Sequence, residues 1–233
     1  GSFASIGGES RMNLAALDAK TGTATAWNPG ADSGIRALAI HGNTLFAGGL
    51  FVHMGEQLRT YLAAIDLGTG AATPWDARVS RVPEDYNYDG GPRVLALQVL
   101  GNTLYVAGAF SEIGRQPRAS LAALDIKTGA ATSWDPQAHS WGTEDPARPY
   151  FNTLVVHENT IYVGGEFRTL GGRDGGSDGV GYAGAVDART GLATPWNPRP
   201  NGGVVALAAS GNAIYVGGWF NSLRDWVPRS GLA

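Results

Sequence analysis

An all-β fold assembled from a repeated unit is what the sequence predicts, and three observations predict it. Glycine is 35 of 233 residues while charged residues are only 16%, and each interior glycine costs a helix about 1 kcal/mol relative to alanine. Gly-Asn and Thr-Gly pairs punctuate short apolar runs, which is the pattern of strands joined by tight turns. Two phrases also return at long period along the whole chain, the signature of stacked units.

The first phrase is Tyr105-Val106-Ala107-Gly108-Ala109-Phe110, which returns at 46–51, 162–167 and 215–220. The second is Leu121-Ala122-Ala123-Leu124-Asp125 followed by Thr128-Gly129 and Trp134, which returns around Asp18, Asp66 and Asp187. Tryptophans at 27, 75, 134 and 196 are spaced by 48, 59 and 62 residues. Each period reads as four strands. An apolar run such as 94–99 turns at Gly101-Asn102 into 103–110; after a looser segment come 121–125, the Thr128-Gly129 turn and 130–134. The first strands, at 35–40, 94–99, 151–156 and 204–209, are apolar on both faces, which suits sheets covered on both sides. Four-stranded antiparallel blades of this size, stacked face to face, make a β-propeller. The predicted architecture is a single domain over 1–233, with repeats at about 1–48, 49–107, 108–164 and 165–217 and a partial fifth at 218–233. Residues 219–233 align with 2–16, so a fragment of a larger ring is expected.

Composition removes several functions. The net charge is −3 with no basic run, so a nucleic-acid backbone is not the expected partner. The absence of cysteine excludes disulfides, thiolate metal sites and a thiol nucleophile. The 24 uncharged residues at 200–223 are long enough for a membrane span, but Gly211-Asn212 in their middle marks a buried hairpin instead.

The joined phrases resemble the repeats of bacterial delta-sixty-type propellers, a domain of unknown function in large secreted proteins, over essentially the whole chain. That resemblance implies a secreted or cell-surface location. The Asp-to-Trp unit is also similar to the tryptophan-docking repeat of pyrroloquinoline-quinone propellers, although Asp18 to Trp27 and Asp125 to Trp134 are one residue longer than that pattern. This second likeness implies, as an alternative, a quinone-dependent oxidoreductase, but a unique metal-coordinating carboxylate cannot be assigned.

Residues present in every copy serve stacking rather than a single site. Trp27, Trp75, Trp134 and Trp196 are read as packing between units, and Asp18, Asp66, Asp125 and Asp187 as carboxylates accepting backbone N–H groups of the Thr-Gly turns. Arg11, Arg59, Arg118 and Arg229, each three residues before the Leu that opens a third strand, are read as scaffold bonds. Function is sought where the copies differ. In an antiparallel unit the Gly-Asn and Thr-Gly turns share one face and the remaining links share the other, and the length changes all fall in the second set, at 76–93, 135–150 and 171–182. Growth of loops on one side of a rigid frame marks a binding face. Its candidate ligand-binding residues are Glu84, Asp85, Tyr86, Tyr88 and Asp89 in the first link and His139, Trp141, Glu144, Asp145 and Tyr150 in the second. Rings for a pyranose face beside carboxylates for hydroxyls suit a carbohydrate; a protein ligand fits the same face. Asp174 and Asp178, among glycines, are the candidate calcium ligands, without the spacing of an EF-hand. No catalytic residue and no other cofactor is assigned. The expected function is a non-catalytic recognition or scaffold module, with a purely structural segment as a further alternative.

Overall fold

The computed structural model describes residues 1–80, 91–139, 149–174, 181–223, 227–228 and 231. Among these every regular element is a β-strand and every paired strand is antiparallel. Three sheets of three strands follow one another along the chain. The first comprises Ile35–His41, Thr44–Gly49 and Leu62–Asp66; the second Arg93–Leu100, Thr103–Ala109 and Leu121–Asp125; the third Tyr150–His157, Thr160–Phe167 and Gly181–Asp187. A last sheet pairs Val204–Ser210 with Ala213–Gly218. In each three-stranded sheet the second strand in sequence lies in the middle.

Turn chemistry explains the first hairpin of each unit. His41 pairs with Thr44, so the loop is the two residues Gly42-Asn43, and Gly42 has φ of 57°. A positive φ at the first central residue is the type II′ geometry, whose twist matches that of the flanking strands. The third sheet makes the same turn with Glu158, at φ of 53°, where a side chain is strained.

The double-glycine phrase answers a second constraint. In every unit the first strand carries a bulge near its start, between Ile35 and Ala37, Val94 and Ala96, Phe151 and Thr153, and Val204 and Ala206. The bulge brings the backbone of the first strand onto the middle one. A Cβ added at Gly108 would collide with the Arg93 carbonyl oxygen, and the equivalent atom at Gly165 would collide with that of Tyr150.

Two parts of each unit differ from the sequence expectation. The fourth strand, expected at 130–134, makes one isolated bridge, Leu124 to Ala131, and its counterparts do the same at Ala24, Ala72 and Ala193. The pairing stops because the hydroxyl of Thr132 accepts the Trp134 N–H at 3.2 Å, turning the chain away from the ladder; Thr25, Thr73 and Thr194 act alike on their tryptophans. The segment read as loose after the middle strand instead forms a minimal hairpin, such as Glu112–Ile113 with Gln116–Pro117. Its tip docks back on the fourth segment, where Ala131 N–H reaches the Gly114 carbonyl at 3.1 Å.

Successive sheets pack on each other in chain order. Arg93–Leu100 lies against both Ile35–His41 and Thr44–Gly49, Tyr150–His157 against Arg93–Leu100 and Thr103–Ala109, and Val204–Ser210 against Tyr150–His157 and Thr160–Phe167. The core is therefore a series of interfaces. Phe46 and Leu62 meet Val94, Leu97 and Leu104 in one, and Tyr105 and Leu121 meet Phe151, Leu154 and Val163 in the next. Burial of a side chain of this kind is worth roughly 1.5–3 kcal/mol. Coverage of both faces holds only for sheets with a sheet on either side. Leu97 and Leu154 are 4% and 5% exposed, whereas their counterpart Leu38 in the first sheet is 52% exposed, and Tyr215 of the last sheet is 51% exposed against 5% for Tyr105.

Two substitutions test this account of the backbone by urea unfolding. Gly108→Ala is expected to lose about 1–3 kcal/mol through the forced shift of the first strand. Glu158→Gly is expected to gain on the order of 1 kcal/mol by relieving the left-handed turn residue. A neutral result for Gly108→Ala would reject the close-approach explanation.

Candidate functional site

The frame that carries the variable links is held by two repeated devices. Three of the four tryptophans stand edge-on to an aromatic ring of their own unit: Trp75 to Phe46 at 5.1 Å, Trp134 to Tyr105 at 5.4 Å and Trp196 to Tyr162 at 5.0 Å between centroids. At two of the tryptophans the indole N–H crosses to the following unit: Trp27 donates to the Asp66 carbonyl at 3.2 Å and Trp134 to that of Asp187 at 3.1 Å. The Tyr105 hydroxyl makes the same crossing to the Ala188 carbonyl at 2.7 Å, and burial raises its phenol pKa.

The second device is the Asp-x-x-Thr-Gly turn. Oδ1 of Asp125 accepts the Thr128 N–H at 2.8 Å, the Thr128 hydroxyl at 2.9 Å and the Lys127 N–H at 3.0 Å. Asp18, Asp66 and Asp187 make the same set. The backbone N–H of the threonine is the largest cause that holds all four carboxyls below the ordinary aspartate range, because a hydrogen bond to the charged form favours it. Arg11, Arg59 and Arg118 each donate to a threonine carbonyl fourteen residues on, at 2.6 Å, fixing the outer segment to the third strand's approach.

On this frame the variable links begin and end at defined places. The start of each is stapled to the small hairpin of the following unit: Ser80 bridges Glu112, with its hydroxyl 2.9 Å from Glu112 Oε2, and His139 bridges Thr169. The His139 side chain is exposed. Asp32 and Asn201 hold the corresponding position in the short links, accepting backbone N–H groups of Val52 and His53 and of Asn221 and Ser222. The exits of the two long links lie side by side, since the Arg93 guanidinium sits 5.4 Å above the half-buried Tyr150 ring, a cation–π contact between two sheets. Of the sequence-predicted site residues the structure thus places His139 at a link entrance and Tyr150 at a link exit. Glu84, Asp85, Tyr86, Tyr88, Asp89, Trp141, Glu144, Asp145 and Asp178 lie outside the described residues, and of Asp174 only the backbone pairing with Thr169 is described. Among the described residues no three His, Asp or Glu side chains converge to hold a metal ion.

A groove absent from the sequence reading opens between the first and second sheets. It encloses about 620 Å³ and is lined by Thr73, Trp75, Asp76 and the cations Arg59, Arg78, Arg115 and Lys127. Its signal was present in the repeat: Arg115 at the hairpin tip aligns with Gly8, Glu56 and Gly172, so a charge stands at one copy of a slot that is otherwise neutral or acidic.

No family model and no curated protein matches the chain. Among solved structures the chain is similar to two designed proteins and a bacterial one. The computationally designed Ika4 protein is 17% identical with a TM-score of 0.47, covering 88% of this chain and 92% of that one. BamB from Moraxella catarrhalis is 16% identical with a TM-score of 0.46, covering 87% of this chain, which spans about half of BamB, 49% of its length. The computationally designed Ika8 protein is 17% identical with a TM-score of 0.45, covering 90% of this chain and 64% of that one. No helix among the described residues is long and apolar enough to cross a membrane.

The aspartate turns make a pH prediction. Their folded carboxyls are more acidic than in the unfolded chain, so the stability they add is present above about pH 4 and is lost as pH falls through the lowered values. Replacing all four by asparagine keeps an acceptor oxygen but removes the proton linkage. The fourfold Asp18→Asn, Asp66→Asn, Asp125→Asn, Asp187→Asn variant is expected to show a flatter fall of urea midpoint between pH 4 and pH 2 than the parent, in a range set by the ordinary aspartate pKa of about 3.9. Identical acid profiles would place the linkage elsewhere.

Proposed function

We propose that the chain is a non-catalytic β-propeller recognition or scaffold module of the secreted or cell-surface kind, with four-stranded blades whose outermost strand is reduced to a bridge. It binds a carbohydrate or protein ligand through the face that carries links 76–93, 135–150 and 171–182. The observation that carries this reading is the Arg93–Tyr150 contact, which sets the exits of the two longest links next to each other. Loops that are long, adjacent and mounted on a repetitive frame form a composite surface, whereas the same loops on distant units would not. The aromatic and carboxylate side chains of 84–89 and 141–150 are those that such a surface uses to hold a sugar ring and its hydroxyls. The stapled entrances at Ser80 and His139 support the same reading, because they fix where each link departs without constraining its length.

A glycan array identifies the ligand, and titration of the best hit tests the face. The combined Tyr86→Ala, Tyr88→Ala and Trp141→Ala variant is expected to bind at least about tenfold more weakly, roughly 1.4 kcal/mol, with an unchanged unfolding midpoint. Undiminished affinity in that variant would reject this face.

A further inference from the structure

The groove between the first and second sheets shares Asp76 and Arg78 with the start of link 76–93 but none of the aromatic and carboxylate candidates of the long-link face, and its charge is not explained by the frame. Corresponding positions can be compared across three of the four unit-to-unit junctions, those of the last falling partly outside the described residues. At this junction they hold Arg59, Arg78, Arg115 and Lys127, with Asp76 the acid that lines the groove. At the next junction the four cationic positions hold Arg118, Gln137, Gly172 and Arg189, and at the preceding one Arg11, Gly30, Glu56 and Gly68. A stacking frame needs the same contacts at every junction, so a cation concentration at one of them answers to something other than stacking. The arginine at the first of these positions is the exception that proves structural, since Arg59 gives its guanidinium to the Leu58 and Thr73 carbonyls like its counterparts. The other three are free for a ligand to differing degrees. Arg78 stands 3.7 Å from Asp76, and both are exposed enough for solvent to weaken the pair. Lys127 is exposed and faces the Asp125 carboxylate of its own turn without an ion pair, and Arg115 has no partner for its guanidinium among the described residues.

A second observation falls on the same junction. Trp75 lines the groove, and its indole nitrogen is buried without a hydrogen-bond partner, whereas Trp27 and Trp134 close their junctions through theirs. A buried donor lacking an acceptor is destabilising. The junction that gathers the cations is therefore also one at which the inter-unit hydrogen bond is not made.

We propose that this groove binds a ligand with two or more oxyanion groups, of the size of a sulfated or phosphorylated disaccharide, with Arg78, Arg115 and Lys127 as the groups that meet it. The space of about 620 Å³ exceeds what a single sulfate or phosphate ion fills, and the cations come from three separate segments: the link after Trp75, the hairpin tip at Gly114-Arg115 and the Thr-Gly turn. Arginine and lysine recognise sulfate and phosphate alike, the first as a fork and the second as a point charge. Arg115 and Lys127 lie outside the long links, so their variants leave the long-link face readable.

The test is calorimetric titration at low ionic strength with a sulfated disaccharide, its unsulfated parent, a disaccharide phosphorylated at two positions, inorganic sulfate and inorganic phosphate. The expected result is binding of one or both multiply anionic sugars, weakening as salt rises, with no binding of the unsulfated parent; which of the two binds more tightly identifies the source of the oxyanion. Arg115→Ala with Lys127→Ala is expected to lose about tenfold or more. Lys20→Ala with Arg189→Ala, which removes the same charge from equivalent turns elsewhere, is expected to lose none. Titration of the parent protein followed at the Trp75 indole N–H resonance supplies a readout that needs no charge variant, and that resonance is expected to move. Equal losses in the two double variants, binding of inorganic ions as tight as that of the sugars, an unmoved Trp75 resonance, or no binding of any anion would each overturn the proposal.

Discussion

The tryptophan ring that packs from one unit onto the next is the interaction on which the rest of this structure depends. A sheet of strands apolar on both faces needs cover on both, and here successive sheets cover one another. The tryptophan performs both halves of that joint. At Trp134 the ring is held edge-on by Tyr105 of its own unit, and the N–H is spent on the carbonyl of Asp187, which opens the next unit's turn. That carbonyl is in place because the carboxylate of the same residue has tied the turn together with three hydrogen bonds. The turn therefore supports the acceptor, and the acceptor orients the indole, while valine, leucine and phenylalanine fill the space between the sheets.

This chain of dependence explains which parts of the molecule were readable from residues alone. The Asp-x-x-Thr-Gly spacing is visible because three bonds to one oxygen tolerate no other spacing, and the double glycine because the bulge leaves no room for a Cβ. The outermost strand was overestimated. Ala130 to Trp134 has the length of a strand, but the Thr132 hydroxyl competes for the Trp134 N–H, and a local side-chain bond of that kind ends a ladder that composition would extend. The small hairpins were missed for the opposite reason, since two-residue strands such as Glu112–Ile113 have no periodicity to detect. Coverage of both faces was read from apolar strands at Ile35–His41 as well as Arg93–Leu100, yet sequence cannot say that Leu38 has no sheet against it while Leu97 has one.

The candidate site was legible only as a location. Length differences between copies pointed to the links, because a frame that repeats makes every insertion conspicuous. What brings two links together was not legible: Arg93 and Tyr150 are 57 residues apart, and their contact follows from the stacking of the second and third sheets rather than from any local pattern. The cationic groove was hidden differently. Its four cations lie in four phrases that each look unremarkable, and they converge only because consecutive units present different segments to a shared junction.

A repeat protein has a particular freedom that follows from this division. Residues at the joint are bound to be alike, since a change at one tryptophan or turn aspartate is felt by two sheets. Residues at the hairpin tip or in the interior of the turn touch the joint only through their backbones, as Gly114 and Lys127 do through their carbonyl and amide. Their side chains can vary from copy to copy without altering the spacing of the sheets. Exchanging glycine for arginine at 115 and glycine for lysine at 127, relative to the copies that carry glycine there, changes the charge of one junction by two units and leaves the frame as it was. Function can therefore be written into such a chain one junction at a time, and the asymmetry among otherwise equivalent positions is where it is to be read.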